Sequence, residues 1–272
     1  LTGLGMHVAQ TAGLALATDL ATEETRPRVV ALLYLMLLIG MIGSALIFAA
    51  LLEDFGYVRL IQVIQSAAVI TLVLNVFAML KQEARRPDLT DHALARPTFG
   101  NAWRDFISLP KARPLLWALG LGTMGFTMQD ILLEPYGAQV LGLSVSDTTL
   151  LTAMFAGGMI LALILTSRRL DKGSDPIRVA STGILVGITA FAFVILSAPF
   201  QAPALFQVGA ALIGLGNGLF AVGMLTAAMV FGGDKMAGLT LGAWGAVQAA
   251  AAGVAMFSGG AIRDLVTGWA DA

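Results

Sequence analysis

Apolar residues dominate the chain in eight runs of about 20 residues, separated by shorter polar segments. A run of this length crosses a bilayer as an α-helix, because about 20 residues at ~1.5 Å each cover its ~30 Å hydrocarbon core. The runs fall at residues 1–20, 29–52, 57–80, 114–134, 148–167, 177–198, 203–231 and 236–258. The pattern predicts an all-α polytopic membrane protein with about eight transmembrane helices.

Composition agrees with this class and narrows the chemistry. The chain has a mean hydropathy of +0.83 and 12% charged residues, whereas a soluble domain carries about 25%. A net charge of −1 argues against nucleic-acid binding. Without cysteine and with two distant histidines, no protein-ligated metal is expected. Because Leu1 already lies inside an apolar run, we expect no signal peptide there and a chain that lacks its first helices.

The basic residues fall on one side of the predicted spans. Of the 16 Lys and Arg residues, 14 lie in the loops after spans one, three, five and seven, and only Arg59 and Arg263 lie on the opposite side. Cytoplasmic loops of membrane proteins carry the excess of Lys and Arg. We therefore predict that these four loops are cytoplasmic.

One polar connector, residues 81–113, is longer than the others. Its first half is charged and predicts a flexible loop. Its second half, TFGNAWRDFISL, places Phe99, Trp103, Phe106 and Ile107 on one helical stripe. We expect a short amphipathic helix there, either on the cytoplasmic membrane surface or as a docking site for a partner helix.

The fourth span ends in polar residues, and these are the first candidate site. Gln129, Asp130 and Glu134 precede Pro135, and a continuous helix would place the two carboxylates on one face, four residues apart. Ionisable residues in a membrane segment are costly and often functional. We predict that the three residues recognise a partner or ligand. The alternative is that the carboxylates end the span and bond to neighbouring helices.

The first span carries the second candidate site. His7 and Gln10 share a helical face, and His7 lies about 13 residues from the cytoplasmic end, near the middle of the bilayer. A neutral imidazole at that depth is a candidate ligand for the magnesium of a chlorophyll-type pigment. The alternative is a hydrogen bond to a neighbouring helix, a common use of polar residues in membranes.

Charged residues near two loops suggest a structural latch on the cytoplasmic side. Asp19 faces Arg26 and Arg28 across the loop after span one, and Arg169 and Asp171 lie in the SRRLDKGSDP segment after span five. Charged groups around tight turns between apolar helices are suited to interhelical ion pairs.

A weak internal repeat suggests how the helices are numbered. GLGMH at 3–7 and GLGNG at 214–218 each precede an apolar stretch, an acidic residue and a basic loop. Parallel repeats of this kind are typical of major facilitator transporters, whose helices four and ten correspond. The register predicts a major facilitator-like helical bundle containing helices 4–11 of twelve. Residues 1–80 then form the last three helices of the N-terminal half-bundle, 81–113 the loop between the halves, and 114–272 the C-terminal half-bundle without its last helix.

Several stretches resemble one known family. MQDILLEPYGAQVLG at 128–142, HVAQTAGLALATDLA at 7–21, RPRVVALLYLMLLIGM at 26–41 and LNVFAMLKQEARR at 74–86 are similar to the PucC/LhaA family. Members of this family are major facilitator-like proteins required for assembling light-harvesting complexes in photosynthetic bacteria. The RLDKG of 169–173 also resembles the major facilitator loop motif, without its leading glycine.

The resemblance implies a non-enzymatic assembly factor in the bacterial inner membrane. Its expected cargo or bound pigment is bacteriochlorophyll a. Its expected partners are the light-harvesting α and β polypeptides, reaction-centre assembly intermediates and membrane lipid. The alternative is a small-molecule transporter of the major facilitator type. Transport coupled to protons or ions usually needs ionisable residues deep in the bundle, and here the carboxylates lie towards helix ends.

Overall fold

A computed structural model of the chain describes residues 2–22, 24–51, 56–80, 98–143 and 145–270, and every regular element in these ranges is helical. Nine α-helices occur in the described ranges, and a short 3-10 turn, Met128–Ile131, lies between the fifth and the sixth. The helices are α1 Thr2–Leu20, α2 Arg26–Leu51, α3 Tyr57–Met79, α4 Phe99–Ser108, α5 Ala112–Thr127, α6 Leu133–Val140, α7 Val145–Asp171, α8 Pro176–Ser197 and α9 Pro203–Ala270.

Five helical segments in the described part of the chain are long and apolar enough to cross a membrane. They are Tyr57–Met79, Ala153–Asp171, Pro176–Ser197, Pro203–Gly232 and Gly238–Trp269. They match the predicted spans three, five, six, seven and eight, except that the last one extends to Trp269 rather than to residue 258. The chain is therefore a multi-pass helical membrane protein, and the total of eight spans stays a prediction.

The last helix, α9, folds back on itself. A methyl group added to Gly120 would lie 3.4 Å from Val247 Cγ1, and one added to Gly122 would meet the ring of Phe220. Gly120 and Gly122 lie within about 7 Å of each other, whereas a straight helix would separate Phe220 from Val247 by about 40 Å. The helix must therefore reverse between them. We name its two arms α9a (Pro203–Gly232) and α9b (Gly238–Trp269).

The described chain divides into two compact units. One contains Leu1–Leu35 and Gly100–Ala272, and the other contains Met36–Phe99. In the second unit, α3 buries only Val63, which suits an apolar helix that faces lipid. The predicted division into two half-bundles joined by residues 81–113 stays a prediction, because most of that connector lies outside the described residues.

Small residues let α9a lie at the centre of the first unit. A methyl group added to Gly183 on α8 would lie 2.5 Å from the backbone oxygen of Gly216, and one added to Gly158 on α7 would lie 2.9 Å from the backbone nitrogen of Leu215. Both distances are too short for a carbon atom. Glycine therefore allows the backbones of α7 and α8 to approach α9a from two sides. Such contacts hold helices together in lipid, where no hydrophobic force drives them to associate.

The described parts of the loops that carry basic residues meet at one end of this unit. Arg28, in the first turn of α2, forms an ion pair with Asp171, at the end of α7. A groove of about 420 Å³ joins the start of α5 to the start of α8. The rings of Phe106, on α4, and Phe231, near the reversal of α9, lie 6.0 Å apart. We call this the basic end of the bundle. Which side of the membrane it faces is predicted from its charge alone.

The amphipathic helix predicted in the long connector corresponds to α4. Phe106 is fully buried, Trp103 and Ile107 are half-buried, and Arg104 is exposed. Phe106 packs with Ala112 at the start of α5 and with Ala243 on α9b. Three residues of the predicted stripe, Trp103, Phe106 and Ile107, therefore face the bundle and anchor α4, whereas Phe99 at the start of the helix is 74% exposed.

Replacing Gly158 with Ala should destabilise the protein by about 1–3 kcal/mol, because the added methyl group meets backbone atoms that cannot move independently. Gly157→Ala is the matched control, since nothing lies within 4 Å of the added carbon. It should be neutral or slightly stabilising, because alanine favours the helix. Thermal unfolding of the detergent-solubilised variants measures both. Equal midpoints for the two variants would contradict the close-packing account.

Candidate functional site

The span that contains the first candidate site is not a continuous helix. The α-helix ends at Thr127, Met128–Ile131 forms the 3-10 turn, and α6 begins at Leu133. The prediction of one continuous α-helix through Asp130 and Glu134 is therefore wrong, and their position on a common face stays a prediction because the Glu134 side chain lies outside the described residues. Asp130 lies in the 3-10 turn and Glu134 belongs to the first turn of α6.

Pro135 explains this break. Proline has no backbone N–H and its ring collides with the carbonyl group four residues earlier, so an α-helix cannot run unchanged through Ile131 to Pro135. Restarting the helix at Leu133 places Pro135 in a first turn, where backbone N–H groups have no intrahelical partner. The effect of the proline thus reaches back to the residues of the candidate site.

Gln129 is the buried polar residue of this turn. Its side chain is 9% exposed, and its Nε2 donates one hydrogen bond to the backbone oxygen of Phe126 at 3.2 Å and another to Asp130 Oδ1. Its Oε1 has no hydrogen-bond partner among the described residues. A buried acceptor without a partner is costly, so this carbonyl oxygen is an unsatisfied polar group of the turn among the described residues.

The turn is held in place from several sides. Just before it, the ring of Phe126 lies 5.7 Å from Phe220 on α9a and 6.4 Å from Phe191 on α8. Gly259 on α9b packs against Met128. After the turn, the ring of Tyr136 lies 5.7 Å from that of Phe206.

The turn lies about 25 Å along the span from Ala112, at the end of the unit opposite the basic end.

Asp130 complements the buried amide. It is exposed and accepts its hydrogen bond from Gln129. The 3-10 turn therefore places the exposed carboxylate of Asp130 next to the buried amide oxygen of Gln129, which has no hydrogen-bond partner among the described residues. Both groups accept hydrogen bonds, so the turn is suited to a ligand or partner that donates them.

Some of the predicted site residues lie beyond this description. The backbones of His7, Gln10 and Asp19 belong to α1, that of Arg26 begins α2, and that of Glu134 belongs to α6, but the side chains of all five lie outside the described residues. Their predicted roles stay predictions. The helix α1 itself packs against α9.

Two residues of the predicted latch are in contact. Arg28 Nε lies 3.2 Å from both carboxylate oxygens of Asp171. The pair joins residues 143 positions apart, so it connects the first turn of α2 to the end of α7. The Arg28 side chain is 67% exposed, and an ion pair of this kind contributes at most about 1 kcal/mol in water. The pair therefore adds little stability, and its predicted role as a latch rests on the two helices that it connects.

The loop that follows Asp171 is defined by its own hydrogen bonds. Gly173 has a φ of +81°, which an L side chain rarely adopts. Ser174 N donates to Arg169 O at 3.1 Å, which closes the end of α7. Asp175 then accepts a hydrogen bond from Ile177 N at 2.8 Å and caps α8. Arg169 thus contributes its backbone to the turn, and its side chain is exposed.

Known proteins resemble the chain throughout its length. Residues 1–272 match the profile of the PUCC protein family. The chain is 50% identical to Protein PucC of Rhodovulum sulfidophilum, with 98% of this chain and 59% of that protein aligned. It is 44% identical to Protein PucC of Cereibacter sphaeroides, with 100% and 59% aligned. It is 27% identical to the bacteriochlorophyll synthase 44.5 kDa chain of Rhodobacter capsulatus, with 98% and 63% aligned.

The helices define the class of the protein, and the family follows from the comparison. The described segments that can cross a membrane make the chain a multi-pass helical membrane protein. Within that class it belongs to the PUCC protein family, whose profile covers residues 1–272. The resemblance predicted from the sequence motifs is therefore confirmed. The chain spans about three fifths of the length of the curated relatives it matches. No solved structure matches it significantly.

Replacing Gln129 with Leu should change stability by no more than about 1 kcal/mol, because the lost hydrogen bonds are offset by removal of a buried acceptor without a partner. Phe126→Ala, in the preceding turn, should cost about 3–5 kcal/mol, because it empties a buried ring site. Thermal unfolding in detergent compares the two. A Gln129→Leu loss as large as that of Phe126→Ala would make the amide a structural group.

Proposed function

We propose that the chain belongs to a non-enzymatic assembly factor for bacterial light-harvesting antenna complexes. In this proposal it binds or delivers bacteriochlorophyll, or accompanies light-harvesting α and β polypeptides and reaction-centre assembly intermediates in the membrane. The observation that carries the proposal is membership of the PUCC family over residues 1–272, together with two relatives named Protein PucC at 44% and 50% identity.

We place the protein in the bacterial inner membrane with the basic end of the bundle in the cytoplasm. The concentration of basic residues in the loops that meet there supports this orientation. The turn at Gln129 and Asp130 then lies at the opposite, outer face. A partner that reaches this turn approaches from the outer half of the bilayer or from beyond it.

A major facilitator-like arrangement remains part of the proposal. In the first unit, α8 and α9a run in opposite directions, because Gly209 approaches Val194 whereas Gly223 approaches Ala180. By the same reasoning α9b runs parallel to α5, since Gly120 approaches Val247 and Met128 approaches Gly259. These directions are the ones expected if each predicted span crosses the membrane in the direction opposite to that of the span before it. A small-molecule transporter ranks second, because the described Gln129 and Asp130 lie at the end of their span rather than in its middle.

The chemistry of the site is compatible with pigment or polypeptide cargo. Carbonyl oxygens are ligands that magnesium accepts, and the unpartnered Gln129 Oε1 is a neutral oxygen of this kind. The same atom accepts hydrogen bonds from a polypeptide amide. Gln129 lines none of the described grooves that lie along α5, near α4 or beside α2. We therefore assign recognition at the bundle surface to the exposed Asp130, which the buried Gln129 contacts through its hydrogen bond. His7, with Gln10, remains the candidate pigment ligand inside it.

Removing both carboxylate charges with Asp130→Asn and Glu134→Gln should impair assembly of light-harvesting complexes, because the recognition turn loses its negative charge. The measurement is near-infrared absorbance of membranes from a photosynthetic strain that depends on the variant. Asp105→Asn, an exposed carboxylate on α4, is the control and should leave absorbance unchanged. Normal absorbance in the double variant, at normal protein level, would return both residues to a structural role.

Replacing His7 with Leu should reduce the pigment that co-purifies with the protein, because the imidazole is the candidate magnesium ligand of the first span. His92→Leu is the matched control, since His92 is the other histidine of the chain and lies in the long polar connector. Pigment per protein is measured by absorbance after gentle solubilisation. Undiminished pigment in His7→Leu at normal yield would remove His7 from the proposed site.

A further inference from the structure

An apolar trough runs along the surface between α5 and α9b. Its volume is about 610 Å³. Three of its side chains are more than half exposed, Trp117 at 70%, Leu121 at 63% and Val254 at 53%. The residues along it are Ile107, Arg113, Leu116, Trp117, Gly120, Leu121, Met124, Val247, Ala250, Ala251 and Val254.

The trough continues into a smaller recess at the basic end. This recess, about 400 Å³ in volume, lies between α4 and the start of α5. Ile107 and Arg113 line both depressions, so the two form one continuous surface. The recess also contains Arg104 and Ser108. One end of the combined depression is therefore cationic and the other is apolar.

The two guanidinium groups at the cationic end lack anionic partners in the described part of the chain. The ion pairs between described residues are Arg28 with Asp171 and Arg263 with Asp264. Neither Arg104 nor Arg113 takes part in them, and both side chains are exposed. Guanidinium groups bind phosphate through paired N–H donors, and Ser108 adds a hydroxyl group to the same recess.

The dimensions match one leaflet of a membrane. From Arg113 to Met124, α5 rises about 16 Å, which is about half of the ~30 Å hydrocarbon core. The cationic end lies at the basic end of the bundle, where anionic lipids of the cytoplasmic leaflet attract Lys and Arg. The apolar end runs towards the middle of the bilayer.

We propose that this depression binds one anionic phospholipid from the cytoplasmic leaflet. The phosphate headgroup lies in the recess and contacts Arg104, Arg113 and Ser108. One acyl chain lies along Trp117 and Leu121 on α5 and along Val247 and Val254 on α9b. A transmembrane helix in the same place would cover the apolar side chains but would give the two guanidinium groups no anion, so a lipid fits both halves of the depression.

The anchoring of α4 gives the site its shape. Phe106 is fully buried against Ala112 and Ala243, so the following residue, Ile107, is held at the junction of recess and trough. The lipid therefore bridges α4, α5 and α9b. Since α4 is part of the long connector, occupancy of the site links this helix to the membrane surface.

Native mass spectrometry of the full chain in detergent tests the proposal. The protein is titrated with phosphatidylglycerol and with phosphatidylcholine carrying the same acyl chains. The wild-type protein should bind one phosphatidylglycerol in preference to phosphatidylcholine. Arg104→Gln with Arg113→Gln should weaken phosphatidylglycerol binding by about tenfold, the size expected for losing charge-assisted hydrogen bonds. Ala250→Phe, at an exposed position of the trough, should weaken binding of both lipids.

Two matched variants serve as controls. Arg178→Gln removes an exposed arginine on α8, and Ala192→Phe adds a ring at an exposed position of the same helix. Both should bind lipid like the wild-type protein. Equal binding of the two lipids by the wild-type protein would overturn the headgroup site. Unchanged binding in Ala250→Phe, or equal losses in the control variants, would overturn the trough as the place of the acyl chain.

Discussion

The close approach of the α7 and α8 backbones to α9a is the constraint on which the first unit depends. Lipid offers no hydrophobic force to press helices together, so packing contacts have to do so. Gly158, Gly183 and Gly216 remove the side chains that would keep α7, α8 and α9a apart. Because α9a is held on two sides, its reversal brings α9b back beside α5, and α4 is anchored at the same end through Phe106.

This packing gives the unit two chemically different ends. At the basic end lie the Arg28–Asp171 pair, the capped turn between α7 and α8, and the exposed guanidinium groups of Arg104 and Arg113. At the other end the 3-10 turn presents Gln129 and Asp130. An assembly factor has to meet both membrane lipid and the polypeptides or pigments it handles. The two ends offer separate surfaces for these tasks.

Much of the helix layout could be predicted from the sequence, because runs of apolar residues and their breaks are local features. Span three and α3 end within one residue of each other, and Asp175 with Pro176 marks the start of α8. The break at Met128–Ile131 was missed, because Pro135 acts on residues up to four positions before it. The Arg28–Asp171 contact was missed too, because it joins the start of α2 to the end of α7, which are far apart in sequence. The trough between α5 and α9b could not be predicted from the sequence either, because an apolar helix surface has the same residue pattern whether lipid or another helix covers it.

The central claim is that the protein handles components of light-harvesting complexes, and its most direct test is the absorbance spectrum of the gently solubilised, affinity-purified protein, with co-purifying polypeptides identified by mass spectrometry. The assembly-factor account predicts near-infrared bacteriochlorophyll bands together with small light-harvesting polypeptides. A colourless protein without such polypeptides, isolated from cells that are making antenna complexes, would contradict it.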